Sequence, residues 1–169
     1  MLVFNKWVSR ADWSTWNKLQ FNILPRQNET ALLLPGGWYG FKELVVTDKI
    51  KESEEVTSFY LQHKDKSEEM PDSFKPGQYL SFRLARGTFV GIDHDVVRNY
   101  SISCGPGQGQ FRISVKRLLG RLTTHPKGLV SNYFHDNVKI GSVVEVMSMT
   151  QNIGCFWNIC PLLRFGYFF

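Results

Sequence analysis

Cysteine is scarce and unpatterned. Three occur in 169 residues: Cys104, Cys155 and Cys160. An odd count without framework spacing excludes a secreted disulfide scaffold. Cys155 and Cys160 have no second pair and no histidine nearby, so a zinc site is excluded as well. The histidines, His63, His94, His125 and His135, are scattered, and none has a partner at ligand spacing along a helix. A long apolar run is also lacking. The tail "QNIGCFWNICPLLRFGYFF" is apolar, but Pro161 and Arg164 interrupt it near the lower length limit for a membrane span. The first residues, "MLVFNKWVSRADWSTW", carry neither the apolar core nor the small-residue cleavage site of a secretory leader. Together these absences point to a cytoplasmic protein without a membrane partner. There is no internal repeat and no low-complexity segment.

Charge of one sign is in excess, at a formal +5, which suits an anionic ligand. Between residues 42 and 66 the lysines alternate with acids, as on a solvated surface. The strip from Arg112 to Lys127 holds Arg112, Lys116, Arg117, Arg121, His125 and Lys127 with no acid among them. A nucleic-acid patch is the obvious candidate there. A phosphate-bearing small ligand or plain surface fits so short a strip better, and no nucleic-acid partner is expected.

Hydrophobic residues make up 43% of the chain, enough for a folded core. Residues 1–35 read as an N-terminal extension. Trp7, Trp13, Trp16 and Leu19 are spaced like one face of a short helix that Pro25 ends. A turn-rich "LPGGWYG" then opens a domain over 36–149. Within it, "FKELVVTDKI", "EVTSFYLQHK", "KPGQYLSFRL", "VVRNYSIS", "FRISVKRL" and "SVVEVMSM" read as six strands. Pro76-Gly77 is a type II turn pair. "CGPGQGQ" reads as the turn of a hairpin joining strands four and five. It imitates a nucleotide-binding glycine loop but runs into a strand, not a helix. "LVSNYFHDNV" reads as one short helix between strands five and six, with Ser131 as its cap. Six short strands and one helix give a mainly β fold, an antiparallel barrel or sandwich. The apolar tail, 150–169, lies outside that pattern.

The chemistry concentrates in "RNYS". Along a strand Arg98 and Tyr100 share one face, and Asn99 and Ser101 the other. A guanidinium makes charge-assisted bonds to phosphate oxygens, and a tyrosine ring offers a flat apolar face with a hydroxyl at its edge. A ligand that needs both is flat, partly apolar and phosphorylated, as a flavin nucleotide is. Ser101 would then reach the flavin edge. Gly128, Leu129, Val130 and Ser131 open the short helix, whose first N–H groups favour an anion. Tyr79, in "PGQY", supplies a further aromatic edge. Each piece has a plainer reading: a core tyrosine, a surface cation, a loop glycine, an ordinary cap. In this order, with strands between them, they support one another.

These segments, "GWYGFKELVVTDKIKESEEVTSFYLQH", "FKPGQYLSFRL", "VVRNYSIS", "FRISVKR" and "GLVSNYFHDNVKIGSVVEV", resemble the FAD-binding domain of flavohemoglobins. Those are nitric oxide dioxygenases within the ferredoxin–NADP reductase superfamily. The resemblance runs over about residues 36–147. It implies a six-stranded antiparallel barrel of Greek-key type with one short helix, and FAD as cofactor. It places Tyr79 at the flavin, Arg98 at the phosphates, Tyr100 at the ring and Ser101 at the redox edge. Asn99 is the variable motif position, and Gly128 to Ser131 meet the pyrophosphate. In the family, electrons pass from NAD(P)H through FAD to haem.

The family's globin domain, with its haem-ligating histidine, and its nicotinamide-binding domain have no counterpart in this sequence. The chain is therefore expected to be an incomplete form. It would depend on a separate chain for haem and nicotinamide sites, and alone it would show no nitric oxide dioxygenase activity. The alternatives are a non-enzymatic remnant and an anion-binding β-barrel.

Overall fold

The computed structural model describes residues 35–75, 77–120 and 127–149. The expected N-terminal helix and the apolar tail lie outside the described residues, as do Cys155 and Cys160. Six strands are present: β1 (Lys42–Lys51), β2 (Val56–His63), β3 (Tyr79–Leu84), β4 (Val96–Ser101), β5 (Phe111–Lys116) and β6 (Val143–Met149). One helix, α1 (Leu129–Asp136), separates β5 from β6. The strands form one antiparallel sheet in the order β4-β3-β6-β1-β2-β5. Among the described residues, the mainly β class and the single helix agree with the reading from sequence.

Period-two alternation builds the core. Leu44 and Val46 of β1, Phe59 and Leu61 of β2, Leu80, Phe82 and Leu84 of β3, and Phe111, Ile113 and Val115 of β5 are all buried. The helix adds Val130 and Phe134 from one face, four residues apart. The Phe134 ring meets Phe59 at 5.4 Å and Phe82 at 5.3 Å, both edge-on. Toward the start of β5, Trp38 stacks on Phe111 at 6.0 Å, and Phe74 meets the same ring edge-on.

Two departures from the sequence reading matter. First, β4 and β5 do not form a hairpin ladder. β5 pairs along its length with β2, and β4 with β3. The two edges meet only at a bridge between Ile102 and Ile113, with the Ser103 N–H bonded to Arg112 O at 2.7 Å. The sheet thus curls to bring its edges together at one neck without closing into a continuous barrel. The physical reason is that β5 already spends one side of its backbone on β2, and β4 ends at Ser101, leaving two residues for the neck.

Second, β1 carries a bulge. Its register with β2 shifts between Val46 and Asp48, so Thr47 is an extra residue. The bulge inverts the face parity of the rest of the strand. Lys49 thereby stands opposite the core residue Phe59 and points toward α1. Its Nζ donates to His135 O at 2.8 Å and Val138 O at 2.7 Å, and lies 5.3 Å from the Phe59 ring centroid. The helix C-terminus is capped by a lysine on a strand.

Candidate functional site

β4 is an edge strand, and the residues of "RNYS" occupy most of it. Arg98 stands opposite Phe82 and Tyr100 opposite Leu80, on the core face. Asn99 stands opposite Ser81 and Ser101 opposite Tyr79, on the other face. The predicted alternation is therefore present: Arg98 and Tyr100 are half-buried, Asn99 and Ser101 exposed. The Ile102 N–H donates to Gln78 O at 3.0 Å, which fixes the phase of the ladder. By its alternation, Val96, Arg98 and Tyr100 turn their backbone groups to β3, and Val97, Asn99 and Ser101 turn theirs toward β5. Side chains from both faces, with that backbone edge between them, are thus offered along one line.

Arg98 is the group most in need of a partner. Burial pulls its pKa down, while the neighbouring Tyr100 phenol works the other way. Its Nη1 donates to the adjacent Val97 O at 2.7 Å. Among the described residues no carboxylate lies within ion-pair distance of it. A guanidinium drawn partly out of water without a counter-charge is costly unless an anion joins it.

Tyr100 is braced. Its ring meets Phe82 at 5.7 Å and Phe134 of α1 at 5.3 Å. Burial pushes its hydroxyl up to about 12, the Arg98 charge opposing. Burial also pushes Tyr79 up to about 12. Both phenols are neutral donors at neutral pH. Asn99 is oriented by Ser81, whose Oγ donates to Asn99 Oδ1 at 2.6 Å. That leaves the Asn99 amide N–H groups as its outward face.

The helix start differs in detail from the sequence reading. Gly128, not Ser131, is the N-cap, and no side chain caps the turn. Ser131 sits inside the first turn, where its hydroxyl donates back to Gly128 O at 3.4 Å and accepts from the Leu118 N–H at 3.3 Å. Its geometry is that of a serine bonded to its own turn, which competes with capping. Gly128 was expected to open the helix toward an anion. A Cβ there would instead meet Ser131 Oγ at 2.4 Å and Leu118 Cβ at 2.8 Å, so packing against Leu118 already demands glycine. Val130 is a core residue and Leu129 is exposed. Only backbone amides of 129–131 remain to face an anion. Phe134 links α1 to Tyr100, whereas no hydrogen bond joins Arg98 to the helix start.

The basic strip is dispersed. Arg112 binds Ser103 O and, at 3.3 Å, Ser103 Oγ, locking the β4–β5 neck. Lys116 pairs with Glu55 at 3.4 Å, and Arg117 pairs with Asp136. These partners lie outside the strip and were invisible in its local sequence. Arg121 and His125 lie outside the described residues. Among the described residues no cluster of ligands suits a metal ion, and no helix is long and apolar enough to cross a membrane.

Comparison with known proteins adds the lineage. No family model matches the chain. A flavohemoprotein of Halalkalibacterium halodurans is 42% identical over 118 residues, 70% of this chain and 27% of that protein. The flavohem-like FAD/NAD-binding domain of a nitric oxide dioxygenase from Vibrio cholerae superposes with a TM-score of 0.52 at 32% identity, covering 66% of this chain and 44% of that one. A flavohemoglobin from Malassezia yamatoensis, solved with FAD and haem bound, shares the fold, with a TM-score of 0.52 at 14% identity. It is matched over 74% of this chain and 29% of its own length. The chain therefore spans about a quarter of the curated relatives' length. In sequence and in fold it is a relative of the flavohemoproteins, over the part of them that the solved FAD/NAD-binding domain represents.

Proposed function

We propose that this chain is an FAD-binding, reductase-type electron-transfer domain. The observation that carries the reading is the half-buried Arg98, without a carboxylate partner among the described residues, beside the braced Tyr100 on an edge strand. The donor set suits the cofactor's three parts. Arg98 would hold the pyrophosphate, with the amides of Leu129, Val130 and Ser131 as further donors; the Gly128 N–H is taken by Leu118 O. Tyr100 and Tyr79 would bear on the ring system. Asn99 and Ser101 would donate to its polar edge. Bound FAD supplies the ability to take electrons in pairs and release them singly. The protein's own part is to hold, orient and desolvate.

NAD(P)H as donor and a haem as acceptor follow from the relatives' names and chemistry. The matched residues span only part of those proteins, and both sites would lie outside them. The dispersal of the basic strip into ion pairs weighs against the anion-binding alternative.

The test is an absorbance spectrum of the gel-filtered chain after incubation with FAD. A retained flavin band is expected, with affinity falling about thirtyfold or more in Arg98→Ala, in line with loss of a charge-assisted contact. A folded wild-type protein that emerges colourless would overturn the proposal.

A further inference from the structure

We infer that Gln78 is a positioning residue for this site, acting through Tyr79 and Ser101 without touching the ligand. The inference rests on the FAD reading above. Gln78 is 5% exposed, and both ends of its amide are engaged. Nε2 donates to Pro35 O at 3.2 Å, and Oε1 accepts the Lys75 N–H. Its backbone is engaged as well. Its N–H donates to Lys75 O at 3.1 Å, and its carbonyl accepts the Ile102 N–H at 3.0 Å.

One residue thus ties together three separate stretches: the approach to the domain at Pro35, the turn at 75–78, and the end of β4. At the turn Gly77 stands at φ +84°, which glycine adopts freely, and the Gln78 N–H closes onto Lys75 O. The approach segment is held from the other side too, since Ser148 Oγ donates to Gly36 O at 3.4 Å. A buried amide held at both ends is not free to turn toward a ligand. What it controls is the pair beside it. Tyr79 and Ser101 lie directly opposite each other, next to the Gln78–Ile102 bond. Any slip of the turn or of β4's end moves the phenol and the hydroxyl together.

A purely structural glutamine would affect stability alone, so the test separates the two. The full 169-residue chain is compared with Gln78→Met, which keeps length without hydrogen bonds, and with Gln78→Glu. As a neutral acid the glutamate restores one donor and one acceptor. Three quantities are read: amide exchange at Ile102 in the apoprotein, the dissociation constant for FAD, and the visible circular dichroism of the bound flavin. In Gln78→Met, which removes both side-chain hydrogen bonds, we expect exchange at Ile102 and the FAD dissociation constant each to rise about tenfold or more. The flavin dichroism should change, while amides of the β1–β2 ladder stay protected. Gln78→Glu should recover the wild-type values as pH falls and its carboxyl is protonated.

A Gln78→Met chain with a lowered unfolding midpoint but wild-type FAD affinity and dichroism would overturn the inference alone. A wild-type chain that binds no FAD would overturn the cofactor reading and this role with it, whatever the exchange at Ile102 shows.

Discussion

Tyr100 answers to two demands, and they can be separated. Its ring packs against Phe82 and Phe134, which ties β4 to α1 whether or not a ligand is present. Its hydroxyl has been drawn out of water and contributes nothing to that packing. Removing the ring leaves a hole among aromatics that cannot collapse readily. Tyr100→Ala should therefore cost about 2–4 kcal/mol of folding stability. Tyr100→Phe keeps the ring and should change stability by no more than about 0.5 kcal/mol. Urea unfolding of both variants checks this. A Tyr100→Ala protein as stable as wild type would show that the ring is not part of the core, and that its face is wholly available to a ligand.

At the scale of elements, α1 shows how a short helix is held. Eight residues are too few to be stable alone, and no side chain caps its first turn. Phe134 anchors it in the core, and His135 donates Nε2–H to Val115 O at 2.9 Å. Lys49 supplies a positive charge to its C-terminal carbonyls, where the helix dipole favours one. Lys49→Met keeps the stem over Phe59 and removes the charge and its bonds. We expect a loss of about 1–2 kcal/mol, measured by thermal or urea unfolding. An unchanged midpoint would mean the carbonyls are equally well served by water.

The sequence announced α1 and all six strands because their periods are local. The "RNYS" alternation was legible for the same reason. The Lys49 tie was not, since it depends on a bulge at Thr47 that reverses the strand's faces and joins residues 86 and 89 positions apart. Nor was the true partner of β5. "CGPGQGQ" invites a local hairpin, but Phe59 and Leu61 offer β5 a longer apolar ladder than the neck offers β4. The plain reading of Ser131 as a cap failed because Gly128, three residues earlier, takes the cap position and Ser131 turns back on its own turn. Gln78 stood in view within "PGQY", but the sequence could not show that Pro35 and Ile102 converge on it.

Across the whole molecule, stability should fall at both ends of the pH scale, through different parts of the fold. On the alkaline side, Tyr79 and Tyr100 are raised from 10.0 to about 12. A group whose folded pKa is raised contributes stability fully present below its unfolded value. That stability is lost as pH rises through the folded one, here between 10 and 12. On the acid side, His63 is lowered below 6.5, chiefly by burial, then by Lys42, with Glu68 and Asp65 opposing. The folded state resists protonating it, so the stability it contributes is present above 6.5 and lost as pH falls through its lower folded value.

His63 is a particular weak point. It lies 3.6 Å from a Glu68 carboxylate that Lys42 already engages, and its ring meets the Trp38 edge at 6.2 Å. Protonation would introduce charge beside the aromatic packing of Trp38 on Phe111. Glu68 and Glu145, both held below their usual range by cationic partners, extend the loss at lower pH. Unfolding free energy measured by urea titration at a series of pH values should begin to decline near 6.5, above the carboxylate range. In His63→Gln that first decline should vanish, leaving only the later carboxylate phase. If the wild type and His63→Gln lose stability in parallel from neutral pH downward, the acid sensitivity lies elsewhere and His63 is titrating as a solvated histidine.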